Sequence, residues 1–201
     1  MTAYPIFIPS QEPVFGSDKP LKPHRIRRNV RGKLENIKLL ALDVDGVLTD
    51  GRTFCDDRGA EGMFFSVQDG SAIKWLHRAG LQTAIISGRD TAALQHRVSV
   101  LAIPYVFKGV KIKMEAYEEL KRQSGLGDES IAYAGDDLHD LPVMRHVVFS
   151  CAVKNARYEV RKQADYVTCA PGGCGAVREI AELLLKIQNK WDDITRRYFI
   201  D

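Results

Sequence analysis

Cysteine is scarce and scattered in this chain of 201 residues, which has four: Cys55, Cys151, Cys169 and Cys174. None forms the close C-x-x-C pair of a zinc site or redox motif, and their dispersal fits a reduced, cytoplasmic setting. Long apolar runs are missing as well. No stretch approaches the roughly 18 residues needed to span a bilayer, and no continuous apolar segment precedes the basic residues near the N-terminus. Neither membrane insertion nor secretion is suggested. Excess charge is small: the formal net charge is +3, and much of it lies in KPHRIRRNVRGK, residues 22–33. The rest is close to neutral, which argues against a nucleic-acid-binding core. What remains, 45% hydrophobic and 27% charged residues, suffices for one well-cored soluble domain and is short for two.

Proline is unevenly spread, with Pro5, Pro9, Pro13, Pro20 and Pro23 all in residues 1–34. That segment has little hydrophobic periodicity and reads as an extended or disordered basic arm, a solvated tail rather than a site for nucleic acid or acidic lipid. From Ile37 the pattern changes. IKLLALDV, TAIIS, YVF, IAYAG, VVFSCAV and DYVT are short β-rich runs. Between them lie helically spaced segments such as DGSAIKWLHRAG, TAALQHRVSVL and KIKMEAYEELKRQSG,. This alternation predicts βαβ units, hence an α/β fold with a doubly wound, Rossmann-like parallel sheet and helices on both faces. The domain is expected over residues 35–189, with residues 190–201 as a C-terminal helical tail.

In such sheets the functional crevice lies outside the carboxyl ends of the strands. Asp43 and Asp45 follow IKLLAL, Ser87, Gly88 and Arg89 follow TAII, and Gly135, Asp136 and Asp137 follow IAYA. An EF-hand does not account for the first pair, because its sixth and twelfth positions are Leu48 and Phe54 rather than Gly and Glu,. Asp43, Asp45, Asp136 and Asp137 in one crevice would repel by ~4 kcal/mol per pair at about 4 Å and an effective dielectric of about 20. A cation has to sit among them. Hard anionic oxygen ligands without clustered His or Cys favour Mg²⁺, which takes its remaining ligands from water and substrate phosphate. The chemistry implied is phosphoryl transfer. Ser87 and the SGR backbone N–H groups would receive phosphoryl oxygens, together with a lysine from KGVKIKMEAYEEL. There Lys113 opens the helix, and Lys108 and Lys111 are the other candidates.

DVDGV at 43–47, SGR at 87–89, Lys113 and GDDLHD at 135–140 occur in the order of the four motifs of the haloacid-dehalogenase-like hydrolases, which the chain resembles. The longer words LDVDGVLTDG, FSVQDG, SGRD, GDDLHDLPVM and GGCGAVRE are similar to those of the 3-deoxy-D-manno-octulosonate 8-phosphate phosphatase family, over about Leu39 to Leu185. The resemblance implies a Mg²⁺-dependent phosphoric monoester hydrolase of lipopolysaccharide biosynthesis that acts on this sugar-acid phosphate. Asp43 would be the nucleophile and form an aspartyl phosphate. Asp45 would protonate the leaving alkoxide and then activate water. Asp43, the backbone carbonyl of Asp45 and Asp136 would hold Mg²⁺, while Ser87 and Lys113 would bind the phosphoryl oxygens. Gly88, Arg89, Asp69 and Arg178 would contact substrate, and Asp137 and Asp140 would orient the metal ligands.

Spacing bears on access. About forty residues separate Asp45 from Ser87 and about two dozen separate Ser87 from Lys113, so neither gap can house the cap domain that many relatives insert there. RTFCDDRGAEGMFFSVQDG instead reads as a projecting β-hairpin flap, one that would expose Phe54, Phe64 and Phe65 if left alone. The capless family is typically tetrameric, so a homotetramer with shared sites is expected, possibly with GGCGAVRE closing over bound sugar. Met63, Gln68 and Cys174 stand where the family commonly has basic residues, which keeps a nonulosonate (sialic-acid-type) 9-phosphate open as the substrate. A catalytically silent regulatory module is the remaining alternative.

Overall fold

The computed structural model describes residues 31–198. Its elements run α1 (Arg31–Leu34), β1 (Leu39–Leu42), β2 (Phe54–Cys55), β3 (Glu61–Gly62), α2 (Val67–Arg78), β4 (Gln82–Ile86), α3 (Ala92–Leu101), β5 (Tyr105–Phe107) and α4 (Lys113–Ser124). They continue β6 (Ile131–Gly135), α5 (Leu141–Met144), β7 (Phe149–Ala152), α6 (Tyr158–Gln163), β8 (Tyr166–Val167), α7 (Ala176–Ile187) and α8 (Trp191–Thr195). The six expected strands and three expected helices are present. An addition to them is α7, whose buried Val177, Ile180, Ala181, Leu184 and Leu185 recur at helical spacing and face α2,.

Six strands form one parallel sheet in the order β5-β4-β1-β6-β7-β8. From β1 the chain steps outward through β4 to β5, then returns to β6 on the other side and steps outward again to β8. β1 and β6 are therefore neighbours where the winding reverses, the switch point at which such sheets open a crevice. Both strands are wholly buried, as a sheet covered on two faces requires. α2 packs on α3 and α7, and α4 on α5. Local chemistry sets the helix ends: Ser66 Oγ accepts from Asp69 N at 3.3 Å to start α2, and Thr91 Oγ1 accepts from Leu94 N at 3.2 Å to start α3,. No helix among the described residues is long and apolar enough to cross a membrane.

The hairpin is shorter than its sequence suggests, with two paired residues in each strand. Asp56 Oδ1 closes its turn by accepting from Arg58 N at 2.9 Å and Ala60 N at 2.8 Å. Phe54 and Phe64 are exposed, at 56% and 69%, but Phe65 is not. It packs against the core with the Arg97 guanidinium 5.4 Å from its ring centre, which corrects the expectation that all three rings need outside cover. No cap domain interrupts the described chain.

Two domain edges also differ from expectation. Most of the basic arm lies outside the described residues, but its last residue, Leu34, is fully buried in the core. Its carbonyl, with that of Ile37, accepts from Gln188 Nε2 at 3.1 and 2.9 Å. At the other end, Trp191 meets Trp75 edge-on at 5.7 Å and Trp75 Nε1 donates to Tyr198 at 3.3 Å, so residues 190–198 are docked on α2 rather than forming a separate tail. Leu34→Ala should cost about 2–5 kcal/mol, read as a fall in the thermal midpoint of several degrees. An unchanged midpoint would put the domain edge after residue 34.

Candidate active site

The site begins where β1 stops. Asp43 N extends the ladder by donating to Ala134 O at 3.0 Å, which holds Asp43 beside the end of β6. The chain then curls tightly. The N–H groups of Val47, Leu48 and Thr49 all donate to Val44 O, and Thr49 Oγ1 accepts from Gly46 N and Gly51 N at 3.2 Å each. Gly46 has φ +85°, and a Cβ there would sit 2.1 Å from Asp136 Oδ2. Glycine after Asp45 thus serves both a left-handed backbone and the close approach of the Asp136 carboxylate.

Lys113, the first residue of α4, is buried between two carboxylates, with Nζ 2.7 Å from Asp43 Oδ1 and 2.6 Å from Asp140 Oδ1. Tyr133 OH donates to the same Asp140 oxygen at 2.6 Å. Asp140 Oδ2 accepts from Asp136 N at 2.9 Å and Asp137 N at 3.1 Å. Both oxygens of this fully buried carboxylate are committed, so Asp140 orients its neighbours. Gly135 makes room for it, since a Cβ there would lie 2.5 Å from Asp140 Cβ. Ser87 is buried at the end of β4, and its Oγ accepts from Arg89 N at 3.1 Å, leaving the hydroxyl hydrogen for another acceptor.

Burial raises the Asp43 carboxyl, but nearby His139 and the Lys113 ammonium outweigh it and hold the group below its ordinary value. Asp45 is raised, first by burial and then by the charge of Asp43, against the opposing Arg89 guanidinium. Asp136 is pushed up to about 8 by burial and by the charges of Asp43, Asp140 and Asp137. Two buried oxygens in this cluster, Asp43 Oδ2 and Asp136 Oδ1, have no donor within hydrogen-bond distance, the His139 ring standing 3.6 Å from the first. Orphaned acceptors of this kind are rare in folded proteins. Hard, anionic and on adjacent strand ends, the pair fits a divalent cation with oxygen preference.

A haloacid dehalogenase-like hydrolase family model matches residues 105–171. The 3-deoxy-D-manno-octulosonate 8-phosphate phosphatase of Salmonella typhimurium is 41% identical over 174 residues, 87% of this chain and 90% of that protein. The chain belongs to this phosphatase family of haloacid dehalogenase-like hydrolases. The Moraxella catarrhalis phosphatase, solved with magnesium ion, phosphate ion and KDO, superposes with a TM-score of 0.82 at 38% identity, over 84% of this chain and 97% of that one. A cobalt-bound family structure from Haemophilus influenzae superposes with a TM-score of 0.77 at 42% identity, over 79% and 93%.

Within the family frame, Asp43, Asp45, Ser87, Lys113, Asp136, Asp137 and Asp140 gather at one end of the sheet, with Gly88 and Arg89 beside them. Two expected substrate contacts do not. Asp69 is fully buried, its oxygens accepting from Gly175 N at 3.2 Å and Arg178 N at 2.8 Å, so it anchors the start of α7. Arg178 stacks 3.7 Å over Trp75 and pairs with Glu182 at 2.5 Å, lining a cavity of about 870 Å³ with Trp191 and Tyr198. Nor does GGCG hang free over the site. Gly173 N donates to Val47 O at 2.9 Å, and a Cβ on Gly172 would lie 1.6 Å from Gly46 O. The sequence reading missed Tyr133, hidden in an apolar run, and His139, whose Nε2 lies 3.6 Å from Asp43 Oδ2.

The Asp136 shift gives a pH test with a fixed sign. Its folded-state pKa lies above the unfolded value of 3.8, so between about 4 and 8 the folded protein binds the extra proton and stability falls as pH rises. Thermal midpoints of metal-free protein should decline across that window through this group. Asp136→Asn should flatten the decline, and an identical slope in the variant would refute the assignment.

Proposed function

We propose that this chain hydrolyses 3-deoxy-D-manno-octulosonate 8-phosphate to the free sugar acid and phosphate, with Mg²⁺ as cofactor. The observation that carries the reading is the pair of orphaned oxygens, Asp43 Oδ2 and Asp136 Oδ1, beside the buried Lys113–Asp43 ion pair. Asp43, the backbone carbonyl of Asp45 and Asp136 hold the metal. When bound, it offsets the carboxylate charge and lets a phosphate dianion approach. Ser87 and Lys113 face the phosphoryl oxygens, and Lys113 keeps Asp43 ionised as a nucleophile.

An Asp43 oxygen bonds to phosphorus as the bond from phosphorus to the sugar oxygen breaks. Asp45, whose carboxyl is raised by burial, gives its proton to the leaving alkoxide, which departs as a sugar hydroxyl. The resulting Asp45 carboxylate then takes a proton from water as that water attacks the aspartyl phosphate. Inorganic phosphate leaves and Asp43 is regenerated. Asp43→Asn should lower turnover by about 10³-fold or more while keeping the thermal midpoint close to wild type, and EDTA should abolish activity that Mg²⁺ restores. A screen of eight- and nine-carbon keto-acid phosphates decides the substrate. Preference for a nonulosonate 9-phosphate would agree with Met63, Gln68 and Cys174 standing in place of basic residues.

The enzyme works in the cytoplasm as a homotetramer. The exposed Phe54 and Phe64 on a hairpin with few backbone pairs of its own support assembly,. Phe64→Ser should move the sedimentation coefficient toward smaller species and weaken sugar-phosphate turnover more than aryl-phosphate turnover. A wild-type monomer with full sugar selectivity would refute the shared-site assembly.

A further inference from the structure

The return strand of the hairpin is fastened to the segment that follows Ser87 at successive points. Glu61 Oε2 pairs with Arg89 NH1 at 2.7 Å, Thr91 Oγ1 donates to Met63 Sδ at 3.4 Å, and Arg97 NH2 donates to Ser66 O at 2.8 Å while its guanidinium covers Phe65. At the first of these points Arg89 has two carboxylate neighbours, because its Nε lies 3.4 Å from Asp45 Oδ1. We propose that Glu61 is a positioning residue. It acts through Arg89, holding the guanidinium between the hairpin and Asp45 so that Arg89 meets the leaving sugar rather than folding onto Asp45.

The geometry favours orientation over stability. All three side chains are one-third to one-half exposed, and exposed ion pairs add little to folding. A guanidinium is planar with donors on fixed edges, so engaging NH1 fixes where the Nε edge points. Without Glu61, the fork is free to take both oxygens of Asp45, the two-point arrangement that Arg frequently adopts with a carboxylate. Asp45 delivers its proton at the bond to the sugar, so the first sugar atoms pass beside Arg89. A small aryl phosphate has no polyol to meet there. Glu61 therefore bears on selectivity for long substrates. This inference rests on the reading of Asp45 as acid and base.

The test compares wild type with Glu61→Gln, Glu61→Asp, Arg89→Ala and the Glu61→Gln/Arg89→Ala double variant, with Mg²⁺ present. For each, kcat and KM are measured on 3-deoxy-D-manno-octulosonate 8-phosphate and on p-nitrophenyl phosphate. Glu61→Gln should lower the ratio of kcat/KM for sugar phosphate over aryl phosphate by three- to tenfold, chiefly through the KM for the sugar. Glu61→Asp should recover part of it, and the double variant should match Arg89→Ala alone. Hydrogen exchange of backbone amides in residues 52–65 should quicken in Glu61→Gln. Equal loss on both substrates, no loss, or effects that add in the double variant would overturn the proposal. If the wild type fails on the sugar phosphate, the substrate reading fails. Exchange then decides the tether alone, and unchanged exchange would overturn it.

Discussion

A lysine ammonium shared by two buried carboxylates organises one end of this molecule. Lys113 reaches from the first turn of α4 to Asp43 on the β1 end and to Asp140 beyond the β6 end, tying together two strands that meet at the sheet's reversal. Burying three charges is costly unless each is paired and hydrogen-bonded, and the surroundings meet that condition in an ordered way. Tyr133 and two backbone N–H groups complete Asp140, so that Asp140 in turn fixes the turn carrying Asp136. Removing either end of the chain of contacts would leave a buried charge without its counterpart.

Close backbone approach is the second constraint. Gly46 makes room for the Asp136 carboxylate, Gly135 for Asp140, and Gly172 and Gly173 for the loop of residues 46–50. At each of these positions a Cβ would fall within 3 Å of another heavy atom, a distance that packed interiors do not accommodate without shifts. The carboxylates of the site are dense because side chains that would keep them apart are absent. The two orphaned oxygens are the electrostatic remainder of that density, and they define where a cation is needed.

Much of this was legible along the chain. Short apolar runs alternating with helical spacing gave the parallel sheet, and the polar residues after IKLLAL, TAII and IAYA marked its functional end. Asp69 and Arg178 lie away from the carboxylate cluster, one under the start of α7 and the other stacked on Trp75, and neither placement has a local signature in the sequence. Tyr133 looks like any core aromatic within IAYAG, since only its hydroxyl, aimed at Asp140 from seven residues away, gives it a polar task. Leu34 sits beside a basic arm and shows its core role only against α7.

The sequence by itself determined the kinds of group available at each strand end, because strand periodicity and residue chemistry are local properties. It also determined that no cap could fit between the motifs, since that is a matter of chain length. Tertiary structure alone decided which carboxylate is satisfied and which is left open. Asp136, Asp137 and Asp140 are chemically alike and nearly adjacent, yet Asp140 is turned inward to four donors while Asp136 keeps an oxygen without one. Two of those donors are N–H groups of the same turn, but the other two, Tyr133 and Lys113, are brought from β6 and α4, and no pattern within GDDLHD encodes where they will stand.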